Sequence, residues 1–498
     1  MPVSEDTPGS GASAAAQPPV IDSDVRGKVP PYEKAAWAAG GASDAVMTTT
    51  IGMFALPVYN MGLGLPAPLV GWAIAIPRLL DAILDPIMGN ISDNTRTRWG
   101  RRRPYIFIGG ILVTILYWLT WCPPKAWSPT WIFVYFILIS SLFFLAYTVY
   151  LIPHAALGFE LSGDYNERTR VMAYRSFFGS IGGLFLPYFL LWSKSPLFGG
   201  NTVDGIRWVT AIAGGVMMLA ILSTAIFCKE RVSAWKQDKI GLWPALKYTM
   251  TNGPYVIIIG TVMLVIVACF LVNPLEIYVL TYYTARGDDK LGAQLFGDCN
   301  FIYGIIGLIM TVVLTVVATR IGKKTTLLLG ELLALVSFLL TLYFYNPNLP
   351  YYSLKLPFLE TPLILHPLLF VKLILNPGLT SVWILGFSMI ADVCDVDEMK
   401  SGLRREGMFG AMYNTIVIKV GISLVTVLSG YAIAWSGYMP KVEPTPDVVT
   451  NLRYMYAFVP AVLLGLAFIL TLTYPLTERK MCEVRRLLAE RKLARAAI

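Results

Sequence analysis

Apolar residues along this chain gather in long blocks instead of the short periods of soluble helices. Runs of about 20 mostly apolar residues are long enough to cross a hydrocarbon layer as helices. They cover residues 35–60, 67–90, 104–122, 131–153, 171–193 and 205–228, and then 254–282, 296–319, 325–345, 363–391, 406–436 and 451–474. The polar stretch KERVSAWKQDKIGLWPALK separates the sixth run from the seventh. The pattern predicts an all-α polytopic membrane protein with twelve transmembrane helices in two six-helix bundles. Residues 1–30 are expected to form a disordered cytoplasmic tail. The bundles follow at 31–228 and 253–474, with a cytoplasmic loop at 229–252 between them and a basic cytoplasmic tail at 475–498.

Composition agrees. Hydrophobic residues make up 56% of the 498 and charged ones 14%, where soluble domains carry about 25% charged. The net charge of +9 is explained by placement. With both termini inside, the inner segments hold 28 of the 40 Lys and Arg, the outer ones 8 and the spans 4. That is the positive-inside bias, so no nucleic-acid partner is needed. A cell membrane is expected, a bacterial inner membrane by this reading, with the lipid bilayer as surroundings and a monomer as the unit. The six cysteines are scattered and there are only two histidines, so no protein metal centre is expected.

A repeat supports the duplication. Thr97-Arg-Trp-Gly100-Arg-Arg-Arg103 follows the second run, and Thr319-Arg-Ile-Gly322-Lys-Lys324 follows the eighth. The same motif at equivalent places of two six-helix halves points to a duplicated transporter.

Charges inside the runs are costly, about 2.5–3.5 kcal/mol each near the bilayer centre. The second run nevertheless contains AIPRLLDAILDPIMGN, residues 75–90. At 100° per residue, Arg78, Asp81 and Asp85 fall within a sector of about 60°. One guanidinium against two carboxylates leaves one negative charge in excess, enough to accept one cation, a proton or a metal ion. Asp44, Arg175 and Lys419 are further charges within runs; Asp44 is expected to contact ligand hydroxyls or to pair with Arg175 or Lys419. Lys372 reads as an interfacial anchor, and Glu276 receives no role. The loop GNISDNTRTRWGRRRP offers Asp93 and Arg101 as a latch at the inner side. The loops at 158–171 and 391–407 offer Glu160, Arg168, Asp392 and Arg404 as its partners, and together these ionic locks would close an inner gate. The C-terminal TERKMCEVRRLLAERKLARAAI is an amphipathic surface-helix candidate. No G-x-x-x-x-G-K-[ST] loop and no nucleophile–base pair occurs, so an ATPase and an enzyme are both unexpected. Energy would come from a gradient, with no cofactor beyond a transported H⁺ or Na⁺.

RLLDAILDPIMGNISDNTRTRWGRRRPYIFIGG, IPHAALGFELSGDYNERTR and ADVCDVDEMKSGLRREG resemble the glycoside–pentoside–hexuronide:cation symporters, relatives of the bacterial melibiose permease with the major facilitator fold. The resemblance implies a cation site at Asp81 and Asp85 with Thr148 nearby. It also implies a sugar site drawing on Asp44, Arg78, Arg175, Trp383, Asn414, Thr415 and Lys419. Two departures stand out. Leu84 occupies the place that is often Asn in sodium users, which leans the coupling ion toward H⁺. Leu151 and Ala155 replace the Asp and Trp that grip a galactoside in the melibiose permease pattern. The expected function is cation-coupled symport of a sugar or glycoside by alternating access. The alternatives are a carrier of an amphipathic lipid such as a lysophospholipid, and a non-transporting sensor.

Overall fold

The computed structural model describes residues 28–162, 165–230, 247–355, 361–402 and 405–496. Much of the expected N-terminal tail and of the central loop lies outside these residues, as do Arg404 and the side chain of Arg168. The N-terminal half consists of α1 (Pro31–Ala55), α2 (Ala67–Asn94), α3 (Arg103–Thr120), α4 (Pro129–Glu160), α5 (Tyr165–Phe185), α6 (Tyr188–Ser193) and α7 (Thr202–Phe227). The C-terminal half consists of α8 (Gly253–Tyr278), α9 (Asp289–Ile321), α10 (Lys323–Phe344), α11 (Leu368–Ser401), α12 (Glu406–Tyr413), α13 (Ile422–Trp435) and α14 (Pro446–Leu472). A surface helix, α15 (Glu478–Ala496), follows, and a two-stranded hairpin pairs β1 (Tyr352–Leu354) with β2 (Leu363–Leu365) between α10 and α11.

Among the described residues ten helical rods are long and apolar enough to cross a membrane. The rod of α1 and the pair α5–α6, broken at Pro187, are helical but more polar. With these two the rods are consistent with a twelve-helix plan. Three rods contain wider π turns: Leu56–Gly62 after α1, Val279–Thr284 after α8, and Asn414–Gly421 joining α12 to α13. Such turns insert a residue and rotate whatever follows. Nothing in the apolar pattern announces them.

The repeat motif closes equivalent turns in the two halves. Gly100 and Gly322 have φ of 102° and 85°, a region that side chains with a Cβ avoid. Just beyond them, Arg103 donates to the carbonyls of Ala225 and Ile226 at the end of α7 (2.6 and 2.9 Å). Lys324 donates to those of Leu472 and Tyr474 at the end of α14 (both 2.8 Å). Each motif thereby ties the third rod of its half to the end of the sixth and satisfies carbonyls that a helix end leaves unpaired.

The halves meet most closely at the end away from these basic motifs, the far end. There a Cβ on Gly71 would sit 2.5 Å from the Thr426 carbonyl oxygen, and one on Gly430 2.5 Å from that of Ala67, so α2 and α13 touch backbone to backbone. Tyr278 donates to Asn60 (2.7 Å), and Tyr188 on α6 donates to Asp298 on α9 (2.9 Å). Asp298 is buried and also accepts from the backbone N–H of Ile364 in β2 (2.8 Å). Toward the basic end packing loosens. The most apolar stretch of α9 is 6% buried, against 39–67% for the other nine candidate spans. Its side chains there are mostly half-exposed or exposed.

Candidate functional site

The two halves are also joined by charge. Asp81 lies on the inward face of α2 and is 2% exposed. It accepts from the Thr148 hydroxyl on α4 and, through its other oxygen, from Lys419 Nζ at 2.8 Å. Asp85, one turn nearer the basic end, accepts from the same ammonium at 2.5 Å. Its side chain is 24% exposed, against 3% for Asp81. Lys419 stands in the π turn Asn414–Gly421, and its own carbonyl accepts from the Ser423 hydroxyl at 2.7 Å. One ammonium therefore bridges two carboxylates carried by the opposite half.

Helical spacing groups Arg78 with the carboxylates, and the resemblance assigns both Arg78 and Lys419 to the sugar site. In the structure Lys419 balances the carboxylates, while Arg78 lies with its guanidinium 5.8 Å from the centre of the Phe144 ring. Arg78 lines a cavity between the halves with Thr48, Gly52, Asn273, Thr426 and Ser429. The excess of one negative charge survives the exchange, because one cation still faces two anions.

A second polar group lies wholly in the N-terminal half. Asp44 on α1 accepts from the Tyr147 hydroxyl on α4, and Arg175 on α5 approaches its other oxygen at 3.6 Å. Arg175 also stands 5.9 Å from the Trp37 ring centre. Tyr147 was not singled out from the sequence, although it directly precedes Thr148. His154, 0% exposed, packs parallel to Trp37 with ring centroids 5.5 Å apart. Of the remaining expected contacts, Trp383 lies edge-on to Phe270 with centroids 6.5 Å apart. The Thr415 hydroxyl is hydrogen-bonded to the Ala411 carbonyl at 3.0 Å. Asn414 is exposed at the start of the π turn that carries Lys419. These three make no hydrogen bond to the Asp44 group in the described residues.

Glu276 and Lys372, left without a joint role by the sequence, form a buried ion pair inside the C-terminal half at 2.7 Å, with side chains 2% and 5% exposed. Asn300 and Tyr345 bond the same carboxylate (3.4 and 3.0 Å). Lys372 is thus no interfacial anchor. Its partner lies 96 positions away in sequence, a separation that spacing cannot reveal.

The expected inner gate is arranged differently from a lock between halves. Glu160 accepts from Arg101 and forms an ion pair with Arg102 (3.0 Å), and Arg102 donates to Asp93 (3.0 Å). Burial pushes the Glu160 carboxyl upward, and the two guanidiniums oppose that push. Lys34 and Glu167 pair at 2.6 Å, and this hydrogen bond holds Glu167 below the usual carboxylate range. In the other half Asp392 is held by Lys323 (2.6 Å) and by Arg485 of α15 (2.8 Å). Each of these pairs stays within one half. Of the residues expected to close the gate, Asp93, Arg101, Glu160 and Asp392 pair with neighbours on their own side.

Comparison with known proteins gives the family and the fold. Residues 36–478 match the family described as MFS/sugar transport protein. An isoprimeverose transporter of Lactiplantibacillus pentosus is 25% identical over 484 residues, covering 95% of this chain and 94% of its own. A glucuronide carrier protein homolog of Escherichia coli K12 is 25% identical over 436 residues, covering 87% and 90%. The fold is also similar to that of a bacterial homolog of the human lysosomal transporter Spinster in an inward-facing, unoccupied conformation. There the TM-score is 0.65 at 14% identity, over 89% of this chain and 98% of that one. For the nucleoside transporter NupG the TM-score is 0.60 at 14% identity, over 90% and 100%. Neither an enzyme nor a soluble protein, the chain belongs to the MFS/sugar transport protein family, the glycoside–pentoside–hexuronide symporters of the major facilitator superfamily.

Proposed function

We propose that the protein couples entry of one proton to transport of a sugar or glycoside by alternating access, with the basic end cytoplasmic. The observation that carries this reading is the Lys419 ammonium between Asp81 and Asp85, donated from one half to the other. The cluster holds two carboxylates and one ammonium, so it is complete only when one more positive charge arrives. A proton on Asp85, the more exposed carboxyl, makes the cluster neutral. That lowers the cost of moving it through an occluded state in low dielectric. Protonated Asp85 also loosens its hold on Lys419 and frees the halves to move relative to one another.

Sodium fits less well. The Lys419 ammonium occupies the space between the carboxylates that a metal ion would take, and Leu84, next to Asp85, supplies no oxygen. The polar group of Asp44, Tyr147 and Arg175, together with Arg78 on the cavity wall, offers donors and acceptors suited to sugar hydroxyls. The relatives named as an isoprimeverose transporter and a glucuronide carrier homolog favour a sugar substrate over a lipid. Coupling between cation and sugar is reciprocal: protonation tightens sugar binding as much as sugar binding tightens the proton.

Uptake into proteoliposomes tests the reading, with a panel of neutral and acidic mono- and disaccharides at two pH values, with and without sodium. A pH gradient is expected to drive accumulation of at least one sugar, and a sodium gradient at constant pH to drive none. Sodium-driven accumulation without a pH gradient would reject the proton. Competition by lysophospholipid alone would reject the sugar.

A further inference from the structure

At the far end a cavity of about 490 Å³ lies between the halves, within the ~300–1,000 Å³ range of small-molecule sites. It is distinct from the Asp81–Asp85–Lys419 cluster. The N-terminal half contributes Lys125 and Lys194 to its wall, and the C-terminal half contributes Tyr282, Asp289 and Lys441. The wall itself thus carries three ammonium groups and one carboxylate, with Asp204 on Lys125, Asp288 near Lys194 and Glu443 near Tyr282 as further acids around it.

These ammoniums are unequally committed. Lys125 pairs with Asp204, which Arg207 also approaches at 3.9 Å. Lys194 donates to the backbone carbonyl of Asp289 at 3.0 Å and lies 3.5 Å from its carboxylate. The Lys194 side chain is only 11% exposed. Burial pulls its ammonium below the usual range, and Asp289 opposes that pull. Lys441 lies across Gly64, where a Cβ would meet its stem at 2.9 Å. Both residues have positive φ, 87° at Gly64 and 62° at Lys441. Glu443 stands two positions further along the loop, yet Lys441 Nζ makes no hydrogen bond or ion pair among the described residues.

We propose that this vestibule binds a small oxyanion, a carboxylate or phosphate group on a solute of roughly monosaccharide size, between Lys194 and Lys441. The two lysines belong to different halves, so an anion bridging them contacts both only while the far end is closed. It binds that state more tightly than one opened at the far end, and by that difference shifts the equilibrium toward it. The vestibule is thus an anion-sensitive brake on reopening the far end, separate from the site that carries cation and sugar.

Binding is measured on the purified full-length protein by calorimetry and thermal unfolding. The probes are D-glucuronate, inorganic phosphate and D-glucose, each at ionic strength matched with chloride. Glucuronate, phosphate or both are expected to bind and raise the unfolding midpoint by a share that the vestibule variants below remove; binding at the separate sugar site, by glucose or by glucuronate, is expected to be the same in those variants as in the wild type, and which anion loses affinity in them identifies the source of the oxyanion. Lys441→Ala, at an exposed position, is expected to weaken anion affinity about tenfold, as loss of one charge-assisted hydrogen bond does. Lys194→Gln is expected to do the same. The proposal is overturned if neither anion acts beyond matched chloride, or if both variants, still unfolding cooperatively, bind as tightly as the wild type. Because no transport is measured, a protein that binds the anion but fails every sugar-uptake assay would keep this site and reject the symport reading.

Discussion

At the basic end the N-terminal half holds Glu160 with Arg101 and Arg102 and ties off α7 with Arg103. The C-terminal half holds Asp392 with Lys323 and ties off α14 with Lys324. Acid, base and glycine recur in the same order. Within the helical bundles the halves differ. The C-terminal half closes its charges on themselves: Glu276 and Lys372 satisfy each other, and Asn300 and Tyr345 complete the shell. The N-terminal half leaves Asp44, Arg175, Arg78 and Asp85 half-exposed and depends on Lys419 from the other side for its balance. A buried pair satisfied within one body serves architecture. Carboxylates that need a cation from the opposite body respond to whether the bodies are together and to what else is bound.

Neutralising the borrowed balance has the largest expected effect. Asp81→Asn or Asp85→Asn leaves Lys419 with one carboxylate and nothing for a proton to add. Gradient-driven accumulation is then expected to be lost, down to equilibrium, because the coupling free energy between cation and sugar has no cation left to act through, while exchange of sugar across equal concentrations survives. Radiolabelled uptake and counterflow separate the two. The matching change in the C-terminal half, Glu276→Gln with Lys372→Met, is expected to lower stability but keep proton-driven accumulation, since that pair is complete without the other half. Loss of coupling in this double variant would erase the contrast.

The contact between halves gives the next effect. Gly430→Ala forces a methyl against the backbone of Ala67 and Pro68, and overpacking of this kind costs about 1–3 kcal/mol. That strain falls on the state closed at the far end. Spin-label distances across the far end are expected to shift toward the open population. Tyr188→Phe removes one hydrogen bond to Asp298, worth about 1 kcal/mol, and is expected to move the same distances less.

The smallest effect is local and pH-dependent. Lys34 holds the Glu167 carboxyl below its usual range. The pair therefore stabilises the folded protein above the ordinary glutamate range, and that contribution is lost as pH falls through the depressed value. Thermal unfolding of Glu167→Gln is expected to lie below wild type near neutrality and to converge with it in acid.

Much of this architecture was legible in the sequence. Block length gave the rods. The repeated TR-x-G motif pointed to two equivalent halves, and its glycines take the positive φ that side chains with a Cβ avoid. The 100° spacing put Asp81 and Asp85 on one face, and the structure has them sharing a single ammonium. The identity of that ammonium was not legible. Lys419 lies 338 and 334 positions from its partners, and the π turn beneath it shifts the register that helical counting assumes. The intra-half pairing at the basic end was equally hidden, because the same charges can pair within or between halves and a sequence does not specify which state is populated.

The central claim is that the carboxylates bridged by Lys419 carry the coupling proton. Accumulation of a transported sugar against its gradient, driven only by an imposed pH difference, tests it most directly when wild type, Asp81→Asn and Asp85→Asn are compared in proteoliposomes. The account predicts accumulation in the wild type and none above equilibrium in either variant, with counterflow retained. Undiminished accumulation in both variants would contradict it.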